Sequence, residues 1–171
     1  MLAVYPTVRG YAFVLFEGAE SPFDWGVKEV RGITKNVSIV NSVSRVIEQY
    51  HPDALVLEDF RDRRCRRGSR IRSLYAALAD MAVTAGVTVK LIDRPLVKEC
   101  FSPAGARTKP EIAQVIAHHI PAFKHRLPPL RKIWMSEDPR QSLFDAAALG
   151  LTHYFGERDG IPEPRASDII A

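Results

Sequence analysis

The acidic pair Glu58-Asp59 ends the apolar run of the stretch ALVLEDF, Ala54–Phe60. That run, bounded by Pro52-Asp53 on one side and Arg61-Asp62 on the other, predicts a short buried central strand over Ala54–Glu58. Carboxylates at the C-terminal edge of such a strand do little for stability, but they stand where α/β sheets open a ligand crevice. Another acid, Asp145, interrupts the apolar and small-residue run LFDAAALGL. Burying it requires a cation or a hydrogen-bond donor. A helix from Ser136 to about Tyr154 would put Asp138, Ser142 and Asp145, spaced four and three apart, on one stripe. If that helix packs beside the central strand, Glu58 and Asp145 converge on a divalent cation, with Asp138 as a further ligand. Oxygen ligands of this kind suit Mg²⁺ or Mn²⁺. Two such ions ~3.5–4 Å apart clamp the attacking and leaving oxygens of a phosphodiester.

A polyanionic substrate also fits the segment directly after the acidic pair. Arg61, Arg63, Arg64, Arg66, Arg67, Arg70 and Arg72 fall within twelve residues. Such runs are usually solvated connections, but guanidinium forks beside metal ligands suit phosphate. The net charge of +4 points the same way, weakly. The 171 residues suit one domain, and 46% hydrophobic content is enough for a real core. No apolar run approaches the ~20 residues of a membrane span. The start, MLAVYPTVRG, lacks the pattern of a signal peptide, so a cytoplasmic location is the expectation. Cys65 and Cys100 belong to no CxxC pair and are expected to be reduced thiols, not zinc ligands.

The elements that must position these residues read in order. Leu2–Tyr5, Tyr11–Phe16 and Phe23–Val30 predict three strands separated by Pro and Gly turns, most simply an antiparallel meander. A helix over Thr34–Tyr50, capped by Asn36 or Ser38, leads to the central strand. A helix over roughly Ser69–Ala85 comes next, stopped by Gly86, then a strand at Val87–Ile92. Crossovers of this kind imply parallel strands. Pro95–Phe101 predicts a short helix, and Thr108 caps another over Pro110–His119. Ile120–Ile133 reads as a basic, Pro-rich loop, and residues 156–171 as a weakly ordered tail behind a domain over 1–155. Trp25 and Trp134 read as packing anchors, with base stacking open to Trp134. His118 and His119, adjacent and ~100° apart on a helix, read as helix-end residues and not as a metal pair.

This order of elements resembles the RNase H-like superfamily, and within it the RuvC-type Holliday-junction resolvases. MLAVYPTVRGYAFVLFE resembles the family's opening strand, glycine turn and second strand. ALVLEDF resembles the strand with its second catalytic acid, matched by Glu58, and SLFDAAALGLTHY resembles its C-terminal helix, whose last acid matches Asp145. VKECFSPAGARTKPEI resembles its basic segment, with Lys98 and Lys109 at matching separation. The resemblance implies a mixed five-stranded sheet, strands one to three antiparallel, with helices on both faces. It also implies a homodimer, since a four-way junction has two-fold symmetry. Two of the family's acids are replaced: its first-strand aspartate falls on Tyr5, and its first acid on the last helix falls on Ser142. Asp138, Asp59 and Glu17 are the candidates for replacement.

Two functions are expected from these residues. The leading one is a metal-dependent, structure-selective endodeoxyribonuclease acting on branched DNA, with Glu58 and Asp145 as catalytic and metal-binding residues. Arg61, Arg63, Arg64, Arg66, Arg67, Arg70, Lys98 and Lys109 would then hold the DNA. The rival is a resolvase-like module that binds such DNA without cutting it. A sugar-kinase-like phosphotransferase is disfavoured by the absence of phosphate-binding glycine loops.

Overall fold

Side-chain parity decides the layering of this chain. In β1 (Leu2–Pro6) and β2 (Gly10–Gly18) both faces are apolar, and every residue from Leu2 to Tyr5 and from Tyr11 to Phe16 is buried. Leu2, Val4, Tyr11, Phe13 and Leu15 point to one face, whereas Ala3, Tyr5, Ala12, Val14 and Phe16 point to the other. Strands apolar on both sides need a cover on both sides. The computed structural model, which describes residues 1–62, 65–129, 134, 136–156 and 160–162, supplies it with helices on each face.

The sheet order is β3-β2-β1-β4-β5. β3 (Ser21–Glu29) and β2 pair antiparallel, as do β2 and β1, while β4 (Ala54–Glu58) lies parallel to β1 and β5 (Thr88–Ile92) parallel to β4. Helices α1 (Lys35–Tyr50) and α2 (Ser69–Thr84) cover the face that carries Leu2, Val4, Leu55 and Leu57. The other face packs on α3 (Arg94–Phe101), α4 (Lys109–His119) and α5 (Gln141–Phe155). Local signals account for most boundaries. Gly86, at φ 76°, ends the α2 connection. Asp93 accepts the Leu96 N–H ahead of α3, and Thr108 with Glu111 makes a reciprocal capping box on α4. Trp25 is the anchor its position implies, edge-on to Phe123 at 5.1 Å between centroids.

Several expectations need correction. The last helix begins at Gln141, not at Ser136. Asp138 accepts the Arg140 backbone N–H at 2.9 Å and pairs with its guanidinium at 2.8 Å, a local turn that competes with helix, and Pro139 lies between them. Asp138 therefore shares no stripe with Asp145. The Pro-rich segment is not all loop: Pro121–Arg126 forms a 3₁₀ helix that buries Phe123 completely. Trp134 is exposed and anchors no core. Past residue 155, Ile161 is buried and its N–H donates to the Cys100 carbonyl at 2.8 Å, so the chain returns to the core there. Neither Asn36 nor Ser38 caps α1.

α5 is buried almost all round and lies against β1 and β2. Contact is close at Gly150, where a Cβ would stand 2.5 Å from Phe16 Cε2 and 2.9 Å from Met1 Cε. Gly150→Ala gains helix propensity of about 1 kcal/mol but overpacks the helix–sheet contact by about 1–3 kcal/mol. A thermal melt should therefore show the variant melting below the wild type by a few degrees; a higher melting temperature would mean that α5 can move away from the sheet without loss.

Candidate nucleic-acid interface

Parity and register bring Tyr5 and Glu58 together. Ala3 pairs with Val56 in the parallel β1–β4 ladder, so two residues further on Tyr5 and Glu58 end their strands side by side on the same face. α5 crosses this face and lowers Asp145 into the same cleft, which Tyr5, Glu58 and Asp145 all line. The expected convergence of Glu58 and Asp145 is thus present. What lies between them is not a ligand set for metal but two cations of the chain itself.

Arg67 returns from the arginine segment and donates Nε and Nη2 to Glu58 Oε2, at 3.0 and 2.8 Å. Tyr75 on α2 donates to the same oxygen at 3.2 Å, and Arg94 Nε stands 3.8 Å from Oε1. Lys109, at the start of α4, donates to Asp145 Oδ2 and to Glu137 Oε1, both at 2.8 Å. Tyr5 is held between the two cations: the Arg67 guanidinium carbon lies 4.4 Å from its ring centroid and Lys109 Nζ lies 5.6 Å away.

These contacts set the protonation states. Burial pushes the Tyr5 phenol up to about 12, with Asp145 adding to the effect, so it is neutral at physiological pH. Burial also raises Asp145, against the pull of Lys109. Burial alone would disfavour the Lys109 and Arg67 cations, yet the surrounding acids and phenols outweigh it and both are held more firmly protonated than usual. The cluster is a neutral phenol between two acids, each joined to a resident cation.

Mg²⁺ and Mn²⁺ ask for several free carboxylate oxygens. Here Asp138 is engaged with Arg140, and the Ser142 hydroxyl donates to the Pro139 carbonyl at 2.6 Å. Asp59 accepts from the Arg61 N–H at 2.9 Å. Among the described residues no group of three or more His, Cys, Asp or Glu side chains could hold a metal ion. The donor set present does not fit a two-metal centre.

The arginines divide by role. Arg63 and Arg64 lie outside the described residues. Arg67 serves Glu58. Arg70 is a staple: Nη1 donates to Asn36 Oδ1 at 2.8 Å, and Nη2 to the Thr7 and Val8 carbonyls at 3.3 and 3.2 Å. Arg72 donates to the Phe60 carbonyl at 3.0 Å, and Arg61 pairs with Asp59. Arg66 and Lys98 are exposed at the cleft, joined by Arg94 and Arg107, which sequence reasoning misses. Arg94 opens α3 and Arg107 precedes the Thr108 cap, positions with no periodic signal, whereas Tyr75 could have been found as a polar-tipped aromatic on the buried face of α2. Arg70→Ala should cost about 1–3 kcal/mol through its three abandoned acceptors, read as a lowered midpoint in a thermal melt; an unchanged midpoint would mean that Asn36 and the Thr7-Val8 turn do not depend on it. His118 and His119 lie in the last turn of α4, as helix-end residues, and His119 Nδ1 meets Glu20 Oε1 at 2.7 Å.

A five-stranded mixed sheet in this order, with the last helix laid across β1 and β2, is the RNase H-like fold in its RuvC form. Two solved structures make the likeness concrete. RuvC of Thermus thermophilus superposes with a TM-score of 0.64 at 22% identity, covering 96% of this chain and all of the other. T. thermophilus RuvC in complex with a Holliday junction substrate gives the same TM-score and identity over 96% of this chain and 98% of the other. No family model and no curated protein sequence matches the chain. Among the described residues, no helix is long and apolar enough to cross a membrane.

Proposed function

We propose that this protein is a RuvC-fold module that binds branched DNA without hydrolysing it. The observation that carries the reading is the pair of resident cations: Arg67 and Lys109 occupy the carboxylates that would otherwise be free for metal. Tyr5, a neutral phenol, stands where the family resemblance puts an acid. Support for DNA as the partner comes from the exposed cations Arg66, Arg94, Lys98 and Arg107 around the cleft and from the RuvC structure solved with its junction. A homodimer would match the two-fold symmetry of a four-way junction.

The nuclease reading keeps one favourable observation, that Glu58 and Asp145 still line one cleft. It requires a divalent ion to displace two ion pairs.

A single experiment separates the two. A labelled four-way junction is titrated with the protein across a salt series, then incubated with Mg²⁺ or Mn²⁺. Specific binding with no cleaved strand is the expected result. Lys98→Ala and Arg94→Ala should each flatten the log–log salt dependence by ~0.9 if each meets one phosphate of duplex DNA. A nicked product that needs Mn²⁺ and disappears in Glu58→Gln overturns the proposal and restores the nuclease. Failure to prefer a junction over linear duplex removes branched DNA as the ligand.

A further inference from the structure

The cleft beside the ion pairs has a wall the DNA backbone does not need. On one side Ile92, Val97, Ile112, Ala148 and Leu149 form an apolar surface contributed by β5, α3, α4 and α5. On the rim stand Arg94, Lys98 and Arg107, all exposed. Glu58 and Asp145 line the inner end, but Arg67 and Lys109 already match them, so the rim cations are in excess. Arg94 is the one shared, 3.8 Å from Glu58 Oε1. The cleft holds about 310 Å³. That is at the lower end of the ~300–1,000 Å³ typical of small-ligand sites, room for one nucleotide beside the further space toward Arg66 that shares Tyr5, Glu58, Arg94 and Lys109.

An apolar slot with a cationic mouth calls for a ligand that is flat and weakly polar at one end and anionic at the other. Four of the five aliphatic side chains belong to the buried core and Val97 is half-buried, so this wall is the edge of the core left uncovered at the cleft. Sterically and electrostatically, the base belongs against the aliphatic wall and the phosphate at the rim, away from the two carboxylates. At the inner end the Tyr5 hydroxyl and the Asp145 oxygen that Lys109 leaves unused offer hydrogen bonds to a base edge.

We infer that this cleft receives a single nucleoside monophosphate unit, supplied by one unpaired nucleotide at the branch point of bound DNA. The inference rests on the DNA-binding reading for the source of the nucleotide, not for the chemistry of the cleft. Extrusion of a base costs least where it is already unpaired, so the pocket would favour junctions with an unpaired residue over fully paired ones.

The test uses the full chain with two four-way junctions, one fully paired and one carrying an unpaired 2-aminopurine at the branch. Alongside runs a titration with dAMP, monitored through the methyl NMR signals of Val97, Ile112 and Leu149. The expected result is a severalfold rise in 2-aminopurine fluorescence on binding, loss of that rise in Val97→Trp, and movement of the same methyls by the unpaired junction. Because the methyl shifts are read on the wild type, the test survives a variant that fails to fold. Tight junction binding with silent fluorescence and unmoved methyls overturns the pocket and leaves the DNA-binding reading standing. Methyls moved by sub-millimolar dAMP with no response to the unpaired junction overturn the DNA source and make a free nucleotide the occupant. If neither junction binds while dAMP moves the methyls, the DNA-binding reading is the one that falls.

Discussion

Lys109→Ala is expected to destabilise the protein by about 2–3 kcal/mol at pH 7, a melting-temperature drop of roughly 5–10 °C for a chain of this size. Breaking a fully buried pair costs about 3–5 kcal/mol; the smaller figure reflects a Lys109 side chain 28% exposed beside an Asp145 side chain only 11% exposed. Without Lys109, Asp145 is left desolvated and without its cation.

The pH dependence has a definite sign. Burial already raises the Asp145 carboxyl above its ordinary value, and losing Lys109 raises it further. The folded variant then holds a proton that the unfolded chain releases from about pH 3.9 upward. Between the unfolded and folded values the unfolded state binds fewer protons, so stability falls as pH rises. The deficit against wild type should be smallest near pH 4 and fully developed at neutral pH. Adding Asp145→Asn should recover most of it, because both partners of the pair are then gone. Thermal melts of the four proteins of this cycle, taken across that pH range, supply the measurement. A deficit independent of pH, or no recovery in the double variant, would show that Lys109 acts through packing alone.

The second large effect is a gain. Tyr5→Asp with Ser142→Asp puts carboxylates at the two positions where the resemblance expects them, beside Glu58 and Asp145. The aromatic ring that separates Arg67 from Lys109 is removed at the same time. Four acids against two resident cations leave oxygen ligands over, which is what Mn²⁺ binds. Electron paramagnetic resonance of free Mn²⁺ should show little binding to the wild type and at least about a tenfold tighter affinity, or 1.4 kcal/mol, in the double variant. Wild type that binds Mn²⁺ as well as the variant would mean that Arg67 and Lys109 yield to metal, and the nuclease reading would return.

How much of this was readable from the residues depends on the range of the interactions involved. The bounds of β4, the stop at Gly86 and the Thr108 cap of α4 were legible because their causes lie within a few residues. The start of α5 was not, because the Asp138–Arg140 turn competes with the helix over the same residues and acidic first-turn residues look alike in either. Arg70 reads in sequence as one of seven similar arginines; only folding shows that its partners are Asn36 and the turn at Thr7-Val8, more than thirty and sixty positions away.

The same division holds at the site. The apolar run of β4 was enough to mark a buried central strand, and with it the edge where Glu58 must end. The residue types alone also marked Asp145 as an acid that would need a cation or a hydrogen-bond donor. Which cation could only come from packing: Lys109 meets Asp145 across 36 positions, and Arg67 meets Glu58 through a nine-residue return. A charge in sequence has no direction. It becomes a phosphate contact, a staple or a replacement for metal only when burial removes water from around it and the geometry of the fold supplies its partner.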